Sequence, residues 1–224
     1  MSWLKEINWQ TPAAIALKAV FAQLPQDQHF DITLFGSSPL QLGLDSSFLS
    51  ADVDLFGAFD ERAYLKSIVE QAGLAKSGER MYVQVCEPGN FKTSPLWQRR
   101  AFTTEVGNVT LTLPHPIDIL IAKLHRLADK DMAAFHLVIK HTGHPTEPEF
   151  RKELQNAVDL FRPNFDEEMV GDITTNTRVL WQELWGMNIN VRTEIIAPAL
   201  AARRDGYDFP TTDWKAELRR LGED

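Results

Sequence analysis

Apolar side chains in the first part of the chain alternate between helical and strand-like spacing. Thr11, followed by a proline, is typical of a helix start, and the apolar positions behind it predict a helix over residues 12–24. Residues 29–35 and 53–56 are short apolar runs that predict two strands. Between residues 60 and 73 the spacing is again helical and ends at a glycine, so we expect a second helix there.

From residue 81 onward the apolar positions repeat every second residue. Residues 81–86 and 100–106 therefore predict strands, and so do residues 109–113. The Gly107–Asn108 pair lies between the last two, which is typical of a tight hairpin turn. We expect these strands to complete a small mixed β-sheet.

The rest of the chain is dominated by helical patterns. Residues 117–127 and 131–140 predict two helices, and residues 146–149 form a capping-box sequence at the start of a further helical region. We therefore expect an α/β (α+β) domain over residues 1–142, with helices flanking the sheet. A helical C-terminal region over residues 143–224 would pack on it.

The composition favours a folded protein and excludes several classes. Of the 224 residues, 44% are hydrophobic and 10% aromatic, more than disordered chains contain. No apolar run approaches the roughly 18 residues that cross a bilayer, and the N-terminal segment has no apolar signal-peptide core. We expect a cytoplasmic protein with no membrane partner. The formal charge of −8 argues against a clamp for duplex DNA.

Two carboxylates in the second predicted strand are the strongest chemical signal. Asp52 and Asp54 are two residues apart, so their side chains share one face of the strand. Carboxylates about 6–7 Å apart repel each other unless a cation lies between them. Mg²⁺ and Mn²⁺ prefer oxygen ligands, and such a carboxylate pair supplies them.

The first predicted strand runs into a turn at Gly36 and Ser37. Glycine lets a backbone approach a phosphate closely, and successive N–H groups in such a turn bind phosphate oxygens. Each feature alone is common in ordinary strands and turns. Because the turn and the carboxylate pair follow one another on neighbouring strand ends, together they predict a site for a metal ion and a nucleoside triphosphate.

These segments resemble a known signature. Phe35-Gly-Ser-Ser followed by Ser50-Ala-Asp-Val-Asp-Leu-Phe is similar to the motif of the polymerase-beta-like nucleotidyltransferase superfamily. The sequence of residues 36–44 most resembles the corresponding segment of the superfamily's abortive-infection toxin branch and of related small nucleotidyltransferases. The resemblance implies the fold of that superfamily, Mg²⁺ held by Asp52 and Asp54, and nucleotide contacts from the turn and the start of the strand. The implied nucleotide-binding residues there are Gly36, Ser37, Ser38 and Ser50.

A second block supports the resemblance. Residues 115–126 and 129–131 are similar to the superfamily's Pro-x-Asp-Leu…Lys-Leu helix and the polar step that follows it. By this resemblance Lys123 would contact the nucleotide phosphates and act in catalysis, and Asp131 would belong to the polar step beside the nucleotide. Read from the residues alone, Lys123 is equally compatible with a surface lysine whose stem lies along an apolar patch.

The chain departs from the superfamily pattern in three respects. Fourteen residues separate Ser37 from Asp52, a long spacer, and none of them is basic. The superfamily adds a third carboxylate on a later strand, but the strand that we assign to it, residues 109–113, has threonines there. Glu105, across the hairpin, is the nearest substitute as a third metal ligand. An exposed strand residue is the alternative interpretation of Glu105.

Three functions are compatible with these features. The first is transfer of a nucleoside monophosphate from a nucleoside triphosphate to a hydroxyl of an RNA or tRNA end, a protein or a small molecule. An antitoxin-like partner is compatible with the toxin branch. The second is a nucleotide-binding or protein-interaction module of the same fold without catalysis. The third is a glycosyltransferase with a metal-bound sugar nucleotide, although only 51 residues precede the carboxylate pair.

The charge is unevenly distributed. Residues 1–60 carry a net charge of −5, residues 61–142 of +3 and residues 143–224 of −6. We expect an anionic triphosphate or an RNA end to dock on the basic middle segment. Its candidate side chains are Arg99, Arg100, Lys123, Arg126 and Lys130.

Zinc is a weaker alternative. Cys86 is the only cysteine, which excludes an internal disulfide and a thiolate-rich zinc site, and we expect it to pack as a small hydrophobe. His141 and His144 are placed in a predicted loop and lack the spacing of a helical ligand pair.

Overall fold

The computed structural model describes residues 3–48, 50, 52–58, 60–75, 81–164 and 172–204. Its centre is a five-stranded mixed sheet with the order β3-β2-β1-β5-β4. The strands are β1 (Phe30–Phe35), β2 (Asp52–Phe56), β3 (Tyr82–Val85), β4 (Phe102–Val106) and β5 (Val109–Leu113). The pairs β1–β2 and β4–β5 are antiparallel, whereas β1–β5 and β2–β3 are parallel.

Helices account for about 52% of the chain and strands for about 14%, which confirms the expected α+β class. The α-helices are α1 (Pro12–Phe21), α2 (Ser38–Gly43), α3 (Arg62–Gln71), α4 (Pro116–Lys123), α5 (Asp129–Thr142), α6 (Glu147–Asn156), α7 (Ile173–Trp185) and α8 (Ala197–Arg204). Shorter 3₁₀ segments are Pro88–Asn90, Trp97–Arg100 and Val158–Asn164, and Arg192–Ile196 is a π-helix. Within these described ranges, none of the helices is long and apolar enough to span a membrane.

Local sequence explains several of the boundaries. The Oγ1 atom of Thr11 accepts a hydrogen bond from the backbone N–H of Ala14 at 3.2 Å, so the predicted cap of α1 is confirmed. Gly107 has a φ of +63°, which the tight hairpin between β4 and β5 requires. The capping box at Thr146 and Glu149 begins α6 as predicted.

One face of the sheet is buried and the other is polar. Alternate strand residues such as Ile32, Val53 and Leu111 pack against α1 and α3 in a first hydrophobic core. Their neighbours point to the opposite side because side chains alternate along a strand. That side carries Asp52 and Asp54, and we call it the carboxylate face.

A second hydrophobic core lies among the helices. It contains Leu40 from α2 and side chains of α4, such as Leu120, together with Phe135 of α5, Phe150 of α6 and Trp181 of α7. Trp181 and its helical neighbour Trp185 therefore pack in a core, with ring centroids 4.8 Å apart. The predicted division at residue 142 falls between α5 and α6, which share this core.

The segment between α4 and α5 differs from the prediction. Helix α4 ends at Lys123 rather than near residue 127, and Leu127 has a positive φ of +47°. The turn redirects the chain so that Asp131, in the first turn of α5, faces back toward the end of α4. Helix α5 then continues through Thr142, so that His141 is helical and not part of a loop.

Candidate nucleotide and metal site

The carboxylates of Asp52 and Asp54 lie side by side on the partly exposed face of β2. Burial and the nearby charge of Asp52 raise the pKa of Asp54 to about 6, against the opposing effect of nearby cations. The ionised form of Asp54 is therefore less favoured than that of an ordinary aspartate, because it is desolvated and shares one face with a second negative charge.

Gly36 places the end of β1 directly against this pair. The register of β1 and β2 sets Phe35 opposite Asp54, so the next residue lies beside the carboxylate. A Cβ atom at Gly36 would lie 2.3 Å from Oδ2 of Asp54, and its φ is +67°. Both the backbone conformation and the contact require glycine, which brings the turn and the carboxylate pair together.

Lys123, at the end of α4, reaches the same turn from the other side. Its Nζ atom donates hydrogen bonds to Oγ of Ser37 at 2.9 Å and to Oδ1 of Asp131 at 2.9 Å. The residue is only 8% exposed, and burial lowers the pKa of its ammonium. The interpretation of Lys123 as a solvated surface lysine is therefore wrong.

Asp131 holds the cations of the site in place. Its buried carboxylate accepts hydrogen bonds from Lys123, from Nε and Nη2 of Arg126 at 2.8 Å each, and from the backbone N–H of Ala128 at 3.1 Å. Burial acts to raise the pKa of Asp131, but these hydrogen bonds outweigh it and keep the pKa below its usual value. Asp131 therefore lies beside the Ser37 turn through Lys123, and its two oxygens accept from donors of the protein itself.

Arg126 and Lys130 give the site additional positive charge. Asp131 fixes one edge of the Arg126 guanidinium, while the side chain of Arg126 remains 60% exposed. The charges of both residues act on Asp54, and that of Arg126 also interacts with Asp52. Their place in a basic segment was visible in the sequence, but their position beside the carboxylates depends on the turn after α4.

Arg100 does not belong to this cationic group. Its guanidinium donates to both carboxylate oxygens of the buried Asp118, at 2.6 and 2.7 Å, and to Glu153 at 2.6 Å. Asp118 is fully buried. Because two carboxylates already compensate its charge, Arg100 is not grouped with the cations beside Asp54.

Two predicted nucleotide-binding serines have structural roles instead. Ser38 is fully buried, and its hydroxyl donates to the carbonyl of Phe35 at 3.3 Å. The hydroxyl of Ser50, which is 7% exposed, donates to the carbonyl of Asp52 at 2.8 Å. Both hydroxyls are therefore engaged within the protein, and Ser37 is the serine whose hydroxyl contacts Lys123.

Strand β3 supplies two residues that the sequence reading missed. Its register places Tyr82 beside Asp52 and Gln84 beside Asp54. The hydroxyl of Tyr82 donates to Oδ2 of Asp52 at 3.0 Å, and Gln84 is exposed on the carboxylate face. The alternation in residues 81–86 was recognisable, but nothing local shows that this strand pairs with β2.

Glu105 is too distant to be the third ligand. It lies on β4, three strands away from β2 in the sheet order, which corresponds to about 14 Å at the usual strand spacing. Its carboxylate accepts a hydrogen bond from Thr110 at 3.0 Å. Within the described ranges, no group of three or more His, Cys, Asp or Glu side chains is arranged to hold a metal ion.

Two carboxylates are nevertheless a suitable donor set for Mg²⁺. This ion is commonly held by one or two carboxylates together with substrate phosphates and water, rather than by a complete cage of protein ligands. Burial and the repulsion by Asp52 raise the pKa of Asp54, and a divalent cation bound to the pair would relieve the repulsion. Asp52 and Asp54 would be its ligands.

Cys86 and the two histidines have other environments. Cys86 packs with Phe35 and Phe91, and burial, with the charge of Asp54, raises the pKa of its thiol to about 12. It is a buried small side chain, as expected. His141 pairs with Asp45 at 3.0 Å and His144 with Glu149 at 2.8 Å, so the two do not converge on one ion.

No family model, curated protein or solved structure matches this chain. The nucleotidyltransferase family therefore stays a resemblance, carried by residues 35–56 and 115–131. The chemistry of the site is inferred from its own contacts and charges.

Proposed function

We propose that the carboxylate face binds a nucleoside triphosphate with Mg²⁺ and transfers its nucleoside monophosphate to a hydroxyl acceptor. One observation carries this proposal. Asp54, the Gly36–Ser37 turn and Lys123 come from three separate segments, yet they are joined by direct contacts. Carboxylates, a glycine turn and an ammonium group in one place are suited to a metal-bound polyphosphate.

Each group has a role that its contacts support. Asp52 and Asp54 would hold the cation, and the turn at Gly36 and Ser37 would bind the terminal phosphates through its backbone N–H groups. The ammonium of Lys123 has three donor hydrogens, of which Ser37 and Asp131 use two. The third is available to a phosphate oxygen. A bound metal ion would neutralise part of the negative charge of the phosphates.

The proposal includes RNA or tRNA ends, proteins and small molecules as acceptors. The acceptor hydroxyl oxygen would bond to the α-phosphorus as the bond to pyrophosphate breaks, and the hydroxyl proton would pass to solvent. The exposed guanidinium of Arg126 and the ammonium of Lys130 lie where they would attract an anionic acceptor or phosphate tail. A cytoplasmic location is part of the proposal, because nucleoside triphosphates and Mg²⁺ are available there.

Calorimetric titration with ATP and the other nucleoside triphosphates, with and without Mg²⁺, tests the binding step. We expect Mg²⁺-dependent binding in the wild type and its loss in Asp52→Ala/Asp54→Ala. Asp31→Ala is the matched control, because Asp31 is an exposed carboxylate on the neighbouring strand β1. Equal loss in both variants would contradict the assignment of the carboxylate pair.

Radiolabelled triphosphates offered with RNA, protein and small-molecule acceptors test transfer. Label transfer that persists in Asp54→Asn would overturn the role of Asp54. Absence of transfer to every acceptor, with binding intact, would favour the second candidate.

The second candidate is a nucleotide-binding or protein-interaction module without catalysis. It is favoured by Gln84, an amide that lies beside Asp54 on β3 where a third carboxylate would complete the cluster. An amide neither bridges two metal ions nor accepts a proton from a hydroxyl as a carboxylate does.

A further inference from the structure

A second concave site lies away from the carboxylate face. It is a cavity of about 700 Å³ between the start of α4, the end of α5 and the first turns of α6. None of the residues of the nucleotide site lines it. Its apolar wall includes Trp3, Leu44, Ile117, Val138, Pro145 and Pro148.

Trp3 forms a fixed aromatic wall of this cavity. Its ring packs so closely on Gly43 that a Cβ atom there would lie 2.8 Å from two ring carbons. The edge of the same ring contacts His115, with centroids 6.3 Å apart. A flat, held indole beside proline rings favours a planar aromatic occupant.

His115 supplies a hydrogen-bond donor that nothing else in the described ranges uses. Its Nδ1 atom accepts a hydrogen bond from the backbone N–H of Ile117 at 3.2 Å. Burial and the charge of Arg100 lower the pKa of His115 to about 4, so the ring is neutral and its proton is on Nε2. Within the described ranges, no hydrogen bond joins that atom to another residue.

The charges at the cavity balance one another. Arg100 and Lys152 are the cations that line it, and Glu149 and Glu153 are the anions. Glu153 pairs with Arg100 at 2.6 Å, and Glu149 pairs with a histidine at 2.8 Å. The remaining cation, Lys152, is exposed, so solvent screens its charge. An ionic ligand would therefore gain little from the charges of the lining, and an uncharged ligand fits better.

We propose that this cavity is a second ligand site, which binds an uncharged aromatic molecule with one carbonyl acceptor. The aromatic body would lie against Trp3 and Ile117, and the carbonyl would accept the Nε2–H hydrogen bond of His115. The volume is within the range of about 300–1,000 Å³ that small-molecule sites occupy. The proposal does not depend on nucleotide binding.

Fluorescence titration with prodan, an uncharged naphthyl ketone, tests the site. We expect saturable binding of one prodan per chain with a blue-shifted emission. Ile117→Trp fills the cavity and abolishes this binding, whereas Ile15→Trp leaves it unchanged, because Ile15 is 59% exposed on α1 and lines no part of the cavity. Leu44→Trp repeats the test from another part of the wall if Ile117→Trp loses its native circular dichroism. Absence of prodan binding, or binding unchanged by filling the cavity, overturns the proposal.

The chemistry of the ligand is tested separately. His115→Asn keeps a side chain that caps α4 but removes the ring donor, and we expect prodan to bind about fivefold more weakly, the factor carried by one neutral hydrogen bond. Unchanged affinity would overturn the role assigned to His115. Anilinonaphthalene sulfonate is the charged comparison, and binding of this anion as tight as that of prodan would overturn the inference of an uncharged ligand.

Discussion

Gly36, in the turn after β1, and Asp54, on β2, are in direct contact, although 17 residues separate them. The backbone of the turn occupies the space beside Oδ2 of Asp54 where any other side chain would begin. The phosphate-binding turn and the metal-binding carboxylate of the proposed site are therefore coupled by a contact that only glycine permits.

Gly36→Ala is expected to destabilise the fold and to weaken Mg²⁺–nucleotide binding. The substitution forces an L side chain into φ +67° and against the carboxylate of Asp54. Gly73→Ala is the matched control, since Gly73 has a φ of +70° but open space around its Cβ position. We expect a loss of about 1–2 kcal/mol for Gly73→Ala and a larger loss for Gly36→Ala in urea unfolding. Equal losses would show that the contact with Asp54 has no energetic role.

Asp54→Asn is expected to stabilise the metal-free protein at pH 8 but not at pH 4. The pKa of Asp54 is raised from 3.8 to about 6, so folding favours the protonated form. The associated stability is fully present below pH 3.8 and is lost as the pH rises through 6. Removing the charge recovers about 1–2 kcal/mol at pH 8. Urea unfolding in a chelator at the two pH values measures the difference.

The exposed carboxylate of Asp31 provides the control for that measurement. Asp31→Asn should change stability little at either pH, since 79% of its side chain is exposed. Added Mg²⁺ should stabilise the wild type and not Asp54→Asn. If Asp54→Asn and the wild type have the same free energy of unfolding at both pH values, the electrostatic coupling of Asp52 and Asp54 is contradicted.

Asp131→Asn is expected to be strongly destabilising, by about 3 kcal/mol or more. The substitution leaves the buried ammonium of Lys123 without its anionic partner and releases Arg126. Asp129→Asn changes an exposed carboxylate in the same turn of α5 and serves as the control. Thermal unfolding at neutral pH compares them. If Asp131→Asn unfolds like Asp129→Asn, the ion-pair cluster does not hold the turn after α4.

Gln84→Glu is expected to raise the affinity for Mg²⁺ by about tenfold, because a third carboxylate joins Asp52 and Asp54. Glu105→Gln should leave this affinity unchanged, since three strand spacings separate Glu105 from the pair. Calorimetry with Mg²⁺ alone makes the measurement. If Glu105→Gln lowers the affinity for Mg²⁺ and Gln84→Glu leaves it unchanged, Glu105 and not Gln84 is within reach of the metal.

Much of the fold was predictable because its patterns are local. The helix start at Thr11, the hairpin at Gly107 and the carboxylates of β2 depend on short segments with clear spacing. The prediction that Asp52 and Asp54 share a partly exposed face follows from strand geometry alone, and the structure has that arrangement.

Contacts between distant segments could not be predicted from the sequence. Asp131 was expected beside the nucleotide, but its hydrogen bonds with Lys123 and Arg126 depend on the turn after α4. The ion pair of Arg100 could not be predicted either, because its partner Asp118 belongs to another element. Gln84 was missed because the pairing of β2 with β3 is a parallel contact that no local pattern specifies.

Helix α4 has its two ends in different sites. Pro116, at its start, lines the cavity, and Lys123, at its end, contacts the turn at Ser37. Eight residues of α-helix form a stiff rod about 12 Å long. This rod connects the wall of the cavity directly to the ammonium group at the turn. If a cavity ligand changes the affinity for the nucleotide by some factor, thermodynamic linkage requires that the nucleotide change the affinity for the cavity ligand by the same factor.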